Sequence, residues 1–166
     1  NRKFLLAFCA LLLAALFINF GKVELEAEEP RRAIVALEMI LQNNWVVPTL
    51  HGETYYNKPP LFNWVLIGSF SLFGTANEWA VRLPALLSYL LIAAFTFGLA
   101  RPWIGKTAAA LSALAWLTFF ELLYQATNVS GEIDLFFSLL VCLQVGSIFV
   151  FSQQKKWLWL FVTAYS

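Results

Sequence analysis

The sequence predicts an all-α membrane protein, a multi-pass helical bundle with interfacial helices in its first outer loop. Three observations predict it. Hydrophobic residues make up 60% of the 166 residues and charged ones only 13%, against about 45–50% and about 25% in soluble globular chains. Four apolar stretches are each about as long as the roughly 20 residues of helix that cross a bilayer core. The basic residues fall in clusters at alternate ends of these stretches, the arrangement that orients membrane helices. Aromatic residues, 17% of the chain with seven Trp, supply side chains that favour the membrane–water interface.

The first span, residues 4–20, is apolar except for Asn19. A signal peptide would share its basic start, Arg2 and Lys3. The long apolar run, with no small-x-small cleavage site before Lys22, favours a retained anchor. The second span, residues 83–100, is interrupted only by Pro84 and small hydroxyl residues. The third, residues 107–124, carries Glu121 as its one charge, and the fourth, residues 135–151, carries Gln144. A fifth begins at Trp157 and is cut short at Ser166. With no initiator Met either, the chain is expected to be the amino-terminal part of a longer protein.

Residues 61–73 are apolar but too few to span, a length typical of interfacial or re-entrant segments. Charge decides their place. Arg2 and Lys3, Arg101 and Lys106, and Lys155 and Lys156 should all be cytoplasmic. Only one crossing is then available between Lys22 and Arg101, and residues 83–100 make the better span. Residues 61–73 are therefore expected to lie along the outer membrane surface, where Phe62, Trp64, Phe70 and Phe73 would suit the interface. This topology sets the amino terminus in the cytoplasm, and the membrane is expected to be the plasma (inner) membrane. It sends Glu24, Glu26, Glu28, Glu29, Glu38, Glu53, Glu78, Glu132 and Asp134 outside. Carboxylates at the mouths of spans, close to hydrocarbon, are costly and call for a reason.

The outer loop, residues 22–81, holds most of these groups. Pro30 suits the first position of a helix, with Glu29 before it as cap, and the helix should end near Leu41 at Asn43 and Asn44. Ile34, Leu37 and Leu41 recur at helical spacing, giving a face that can lie on the membrane or on the spans. Glu28 and Glu29 sit at the positive end of this helix, and Arg31 and Arg32 lie one turn in. From this stretch alone, ordinary capping and a solvated charged face account for the charges better than a site does. Pro59 and Pro60 stop any helix and fix the backbone after Lys58. Its ammonium could bind a lipid phosphate or merely contact anionic headgroups. At the second outer mouth, Glu132 and Asp134 point different ways if the loop is extended. Asp134 is read equally as a cap of the fourth span. Cys9 and Cys142 lie in apolar runs as packing residues, the lone His51 makes no metal motif, and no basic run suggests nucleic acid.

In order along the chain stand Glu28-Glu29-Pro30-Arg31-Arg32, Ala36 and Met39, Asn44-Trp45 and Pro48, Gly52, and Tyr55-Tyr56-Asn57-Lys58-Pro59-Pro60. Trp64, Leu72-Phe73-Gly74, Glu78, Arg82-Leu83-Pro84 and Asp134 follow. This ordered set resembles the polyprenyl-phosphate-sugar glycosyltransferases. It is most similar to the bacterial branch of aminoarabinose–lipid A transferases, relatives of the dolichyl-phosphate-mannose protein mannosyltransferases. The resemblance covers essentially the whole chain. It implies a GT-C fold with its active site in the first external loop, on the periplasmic or outer face. It also implies inverting transfer of a sugar from a polyprenyl-phosphate carrier to a lipid, glycan or protein acceptor. The catalytic acidic position of the family falls on Glu28, where the relatives carry the shorter Asp. Arg31 and Lys58 match positions that receive the carrier phosphate, and Asp134, with Glu132 and Arg32, matches supporting positions. Asn57 departs from the Glu of the aminoarabinose branch. No cofactor is called for, and a divalent cation and that branch's acceptor are left open.

Two other readings fit the same charges. A transporter or flippase of a lipid-linked saccharide would use the outer cations without breaking a bond, although transporter sites usually lie at broken helices near the bilayer midplane. A membrane scaffold would use Glu28 and Lys58 only at helix ends.

Overall fold

The computed structural model describes residues 11, 14, 17, 20–119 and 133–154. Most of the first span, Glu121, Glu132, Lys155, Lys156 and the start of a fifth span lie outside the described residues. The described chain is helical apart from one small hairpin: α1 (Glu29–Leu41), β1 (Thr49–Leu50), β2 (Glu53–Thr54), α2 (Leu61–Phe73), a long stretch Glu78–Thr118, and a final helix Ile133–Gln154. The long stretch is two helices, α3 (78–104) and α4 (106–118). They meet at Gly105, whose φ of 80° and ψ of 167° suit only a residue without a Cβ. Ile133–Gln154 is α5. Arg101 and Lys106, expected in a connecting loop, are themselves helical, because a single glycine makes the turn. The stretches Glu78–Thr118 and Ile133–Gln153 are each long and apolar enough to cross a membrane.

The chain divides into two compact units, one built on residues up to Leu86 and the other on Leu87–Leu122 with the residues from Asp134 onward. In the first unit, α1 opens with Pro30 in its first turn, where the missing N–H costs nothing. Its N-cap residue is Glu28 and Glu29 is already helical, one residue earlier than the sequence suggested. At the other end Asn43 takes a left-handed φ of 52°. The Asn43 and Asn44 amides donate to Ile40 O and Met39 O, both at 3.1 Å, the paired bonds of a Schellman stop.

The stripe of Ile34, Leu37 and Leu41 is not the face that α1 packs into the core. Arg32, Ala33, Val35, Ala36 and Met39 face inward, while Leu37 is exposed and Leu41 is 81% exposed. Packing against α2 and β1 selects small and polar residues that an apolar count overlooks. In α2, Phe62 and Phe70 join Leu66 and Ile67 in the core, and Trp64 and Phe73 stay exposed. Half of the aromatics expected at the membrane surface are therefore core residues. Asn77 caps α3, its Oδ1 accepting the Ala80 amide at 3.0 Å. The Ser69 hydroxyl of α2 donates to Ala80 O at 2.6 Å. Trp79 sets its ring edge-on to Phe20 at 5.0 Å. A Cβ on Gly21 would lie 1.9 Å from the Trp79 indole nitrogen, so only glycine lets the chain pass there.

The second unit is apolar helix packing. α4 folds back along α3, with the Tyr89 hydroxyl donating to Leu117 O at 2.8 Å and the Trp116 indole N–H donating to Tyr89 O at 3.2 Å. α5 meets α3 through an edge-on Trp103–Phe149 pair at 5.3 Å. Gly146 leaves room there for the Phe95 ring. A groove of about 570 Å³ lined by residues such as Leu99, Trp103, Cys142 and Phe149 has no charged residue in its walls.

Candidate active site

The charged residues at the start of α1 separate into a buried set and an outward set. Glu29 is fully buried and pairs with Arg82 of α3, itself 2% exposed. Arg82 Nε and Nη2 donate to the two Glu29 carboxylate oxygens, both at 2.8 Å. Nη1 donates to Phe20 O and Val23 O at 2.9 and 3.0 Å, and Nη2 also to Glu24 O at 3.1 Å. These bonds match the five N–H donors of a guanidinium. Glu29 Oε2 also accepts the Glu26 amide at 3.1 Å, and the Glu29 amide donates to Glu26 O at 3.1 Å. Between them Ala27 is held at a left-handed φ of 53°.

Glu28 follows that turn, with a side chain 35% exposed. Although it is the N-cap residue, its side chain makes no capping bond. Its Oε2 instead accepts from Arg31 Nη1 at 2.8 Å and lies 3.8 Å from Arg32 Nη2. Arg31 is half-exposed, whereas the Arg32 side chain is nearly buried and its Nε has no hydrogen-bond partner among the described residues. Three residues singled out from the sequence thus meet in one cluster: a part-exposed carboxylate between an outward guanidinium, Arg31, and an inward one, Arg32.

Lys58 sits in an exposed bend just before Pro60, the N-cap residue of α2. Among the described residues it forms no salt bridge. The chain leading to it is anchored twice. The hairpin turn places His51 and Gly52 at φ 55° and 82°, the two-residue geometry that favours glycine. Glu38 of α1 grips this turn, accepting from the Thr49 hydroxyl and from the His51 and Gly52 amides, the latter two at 2.6 and 3.2 Å. The Thr49 hydroxyl, aided by the turn amides and opposed by burial, holds the Glu38 carboxyl below its ordinary range. Further back, the Trp64 indole donates to Trp45 O at 2.7 Å, and the Tyr55 amide donates to Pro48 O at 2.9 Å.

Asp134 belongs to the second unit, where it is exposed in the first turn of α5. It lies inside the helix and is not its cap. Among the described residues no group of three His, Cys, Asp or Glu side chains is placed to hold a metal ion. Sequence reasoning gives Glu38 and Arg82 no role, and it reads Glu29 as a helix cap where the structure pairs it with Arg82. Glu29 and its partner are 53 residues apart, so no local pattern connects them.

Known proteins place this arrangement in context. The chain is 35% identical over 115 residues to the undecaprenyl phosphate-alpha-4-amino-4-deoxy-L-arabinose arabinosyl transferase of Edwardsiella ictaluri, covering 65% of this chain and 21% of that one. The Yersinia pestis protein of the same name is 28% identical over 154 residues, 92% of this chain and 27% of its own. The chain thus spans about a fifth to a quarter of the length of these curated relatives. The crystal structure of ArnT from Cupriavidus metallidurans in the apo state superposes with a TM-score of 0.84 at 25% identity, covering 98% of this chain and 31% of that one. The same protein bound to undecaprenyl phosphate gives a TM-score of 0.80 at 23% identity. The family model described as dolichyl-phosphate-mannose-protein mannosyltransferase matches residues 57–166, more than half of the chain. The chain belongs to this family of membrane proteins.

Proposed function

We propose that this chain forms the amino-terminal part of a membrane glycosyltransferase. It would move a sugar from a polyprenyl-phosphate carrier to a lipid, glycan or protein acceptor on the outer membrane face, with inversion. The observation that carries the reading is the cluster of the part-exposed Glu28 with Arg31 and Arg32. Lys58, exposed and without a salt bridge among the described residues, and the relatives' names, which specify an undecaprenyl-phosphate-linked aminopentose, support it.

In this reading Glu28 is the base. It takes the proton of the acceptor hydroxyl as the acceptor oxygen bonds to the sugar's anomeric carbon. The bond from that carbon to the phosphate oxygen breaks on the opposite face, and the carrier leaves as polyprenyl phosphate. Lys58 and Arg31 receive the charge that grows on the phosphate, and Arg31 turns from Glu28 to do so. Proton removal by a placed carboxylate is worth roughly 10²–10⁴-fold. Asp134, Glu132 and Arg32 support the same chemistry, in a bundle whose amino terminus is cytoplasmic and whose helices α1 and α2 lie along the outer surface.

The test uses purified full-length protein in vesicles with a labelled polyprenyl-phosphate sugar. Release of sugar-free carrier phosphate supports the enzyme. Label that only crosses the vesicle wall, still attached to its carrier, overturns it in favour of a transporter.

A further inference from the structure

The proposed base stands next to a buried ion pair that its chemistry leaves unused. A buried ion pair is weak evidence for stability, since desolvation offsets most of its attraction. What it supplies here is geometry. All five Arg82 bonds end on the segment 20–29, two on the Glu29 carboxylate and three on the carbonyls of Phe20, Val23 and Glu24. Glu29 in turn closes the 26–29 turn through its bonds with Glu26. The turn contains Ala27 at φ 53°, a conformation that a non-glycine residue keeps only when its surroundings impose it. Glu28 is the next residue, and no capping bond of its own steadies its side chain.

We infer that Arg82 and Glu29 are positioning residues for transfer: the buried pair imposes the left-handed turn at Ala27 and thereby aims the Glu28 carboxylate. This rests on the reading of Glu28 as base. Neither residue touches substrate. Arg82 belongs to α3 and Glu29 to α1, so the pair ties the base to the start of a membrane helix rather than to the loop alone. A lysine at 82 has one nitrogen and cannot reproduce a planar fork bonded to five acceptors. Glutamine at 29 keeps the size of the side chain and leaves the three carbonyl bonds of Arg82 available, but loses the charged fork.

The experiment measures kcat and donor KM on full-length Arg82→Lys, Glu29→Gln and Glu28→Gln. Each kcat is divided by the folded fraction from size exclusion and thermal melting, with Glu53→Gln on the exposed hairpin as the unchanged control. A displacement of a catalytic group by about 1 Å costs about 100-fold. Arg82→Lys and Glu29→Gln are therefore expected to lower kcat at least tenfold with donor KM within twofold. A purely structural role would lower the folded fraction and leave kcat per folded molecule at the wild-type value, which overturns the inference. If Arg82→Lys does not fold, Glu29→Gln decides alone by the same criterion. Glu28→Gln separates the two claims. If it retains transfer, the base reading falls and the inference with it. If it is inactive while the pair variants keep full kcat, only the inference falls.

Discussion

The two units bury different things. The first hides Glu29, Arg32, Arg82, Asn63, Ser69 and Thr49 among its apolar side chains and joins distant segments through charged and amide bonds. The second buries no charged residue among the described ones: it packs Tyr89, Ile92, Ala93, Leu135, Leu139 and Val150 with the small hydroxyls of Ser88 and Ser147, and its helices meet through aromatic edges, a glycine and two aromatic-to-carbonyl hydrogen bonds. The second is built like a membrane anchor, where close packing replaces the hydrophobic drive. The first is built to hold particular side chains in particular places. Chemistry is expected where polar groups are organised at such cost, and there the part-exposed cluster at Glu28 is found.

The largest expected effect falls on the first unit. Glu28→Gln should lower transfer by roughly 10²–10⁴-fold with folding intact, read by carrier-phosphate release. Next, stability should separate the units. Arg82→Ala leaves a buried carboxylate unpaired and should cost about 3–5 kcal/mol. Ser147→Ala in the second unit removes a buried hydroxyl that has no partner among the described residues and should be neutral or slightly stabilising. Thermal melts of the full-length variants check both, and equal losses would erase the contrast. In the proposed function Lys58 meets the carrier phosphate, a charged contact worth about 1.5–3 kcal/mol, so Lys58→Ala should raise donor KM by roughly 10- to 100-fold.

Among the glycines, Gly146→Ala pushes a Cβ to 2.4 Å from the Phe95 ring and should cost about 1–3 kcal/mol by overpacking. Gly68→Ala on an open helix face should stabilise by about 0.5–1 kcal/mol. The smallest effect belongs to Glu38. Its folded carboxyl titrates below the ordinary 4.5, so its contribution is fully present above about pH 4.5. It is lost as pH falls through the lower folded value. Melting from pH 6 to pH 3 should show this component in wild type and lack it in Glu38→Gln.

Much of this was legible in the sequence, because local chemistry decides it. Pro30 and the Asn43–Asn44 pair bound a helix by backbone geometry alone, and the 13 residues of Leu61–Phe73 form a helix. The grouping of Glu28 with Arg31 and Arg32 follows from i, i+3 and i+4 spacing. What could not be read depends on partners far away in the chain. Arg82 chose Glu29 across 53 residues, Glu38 found a turn 13 and 14 residues on, and α2 decided which face of α1 is buried. The apolar stripe of Ile34, Leu37 and Leu41 is read as lying on the membrane or on the spans, and the buried face of α1 is made instead of alanines, Val35, Met39 and charged residues. Gly105 hid the tightness of the α3–α4 turn, since a single left-handed glycine replaced the loop that a charge cluster suggested.

The most direct test of the account is a single-turnover measurement on full-length Glu28→Gln, saturated with labelled polyprenyl-phosphate sugar and then given acceptor. The expected result is donor bound as in wild type and almost no carrier phosphate released, with activity lost in kcat alone. Release at the wild-type rate from a folded variant would contradict the assignment of Glu28 and move the chemistry away from the start of α1.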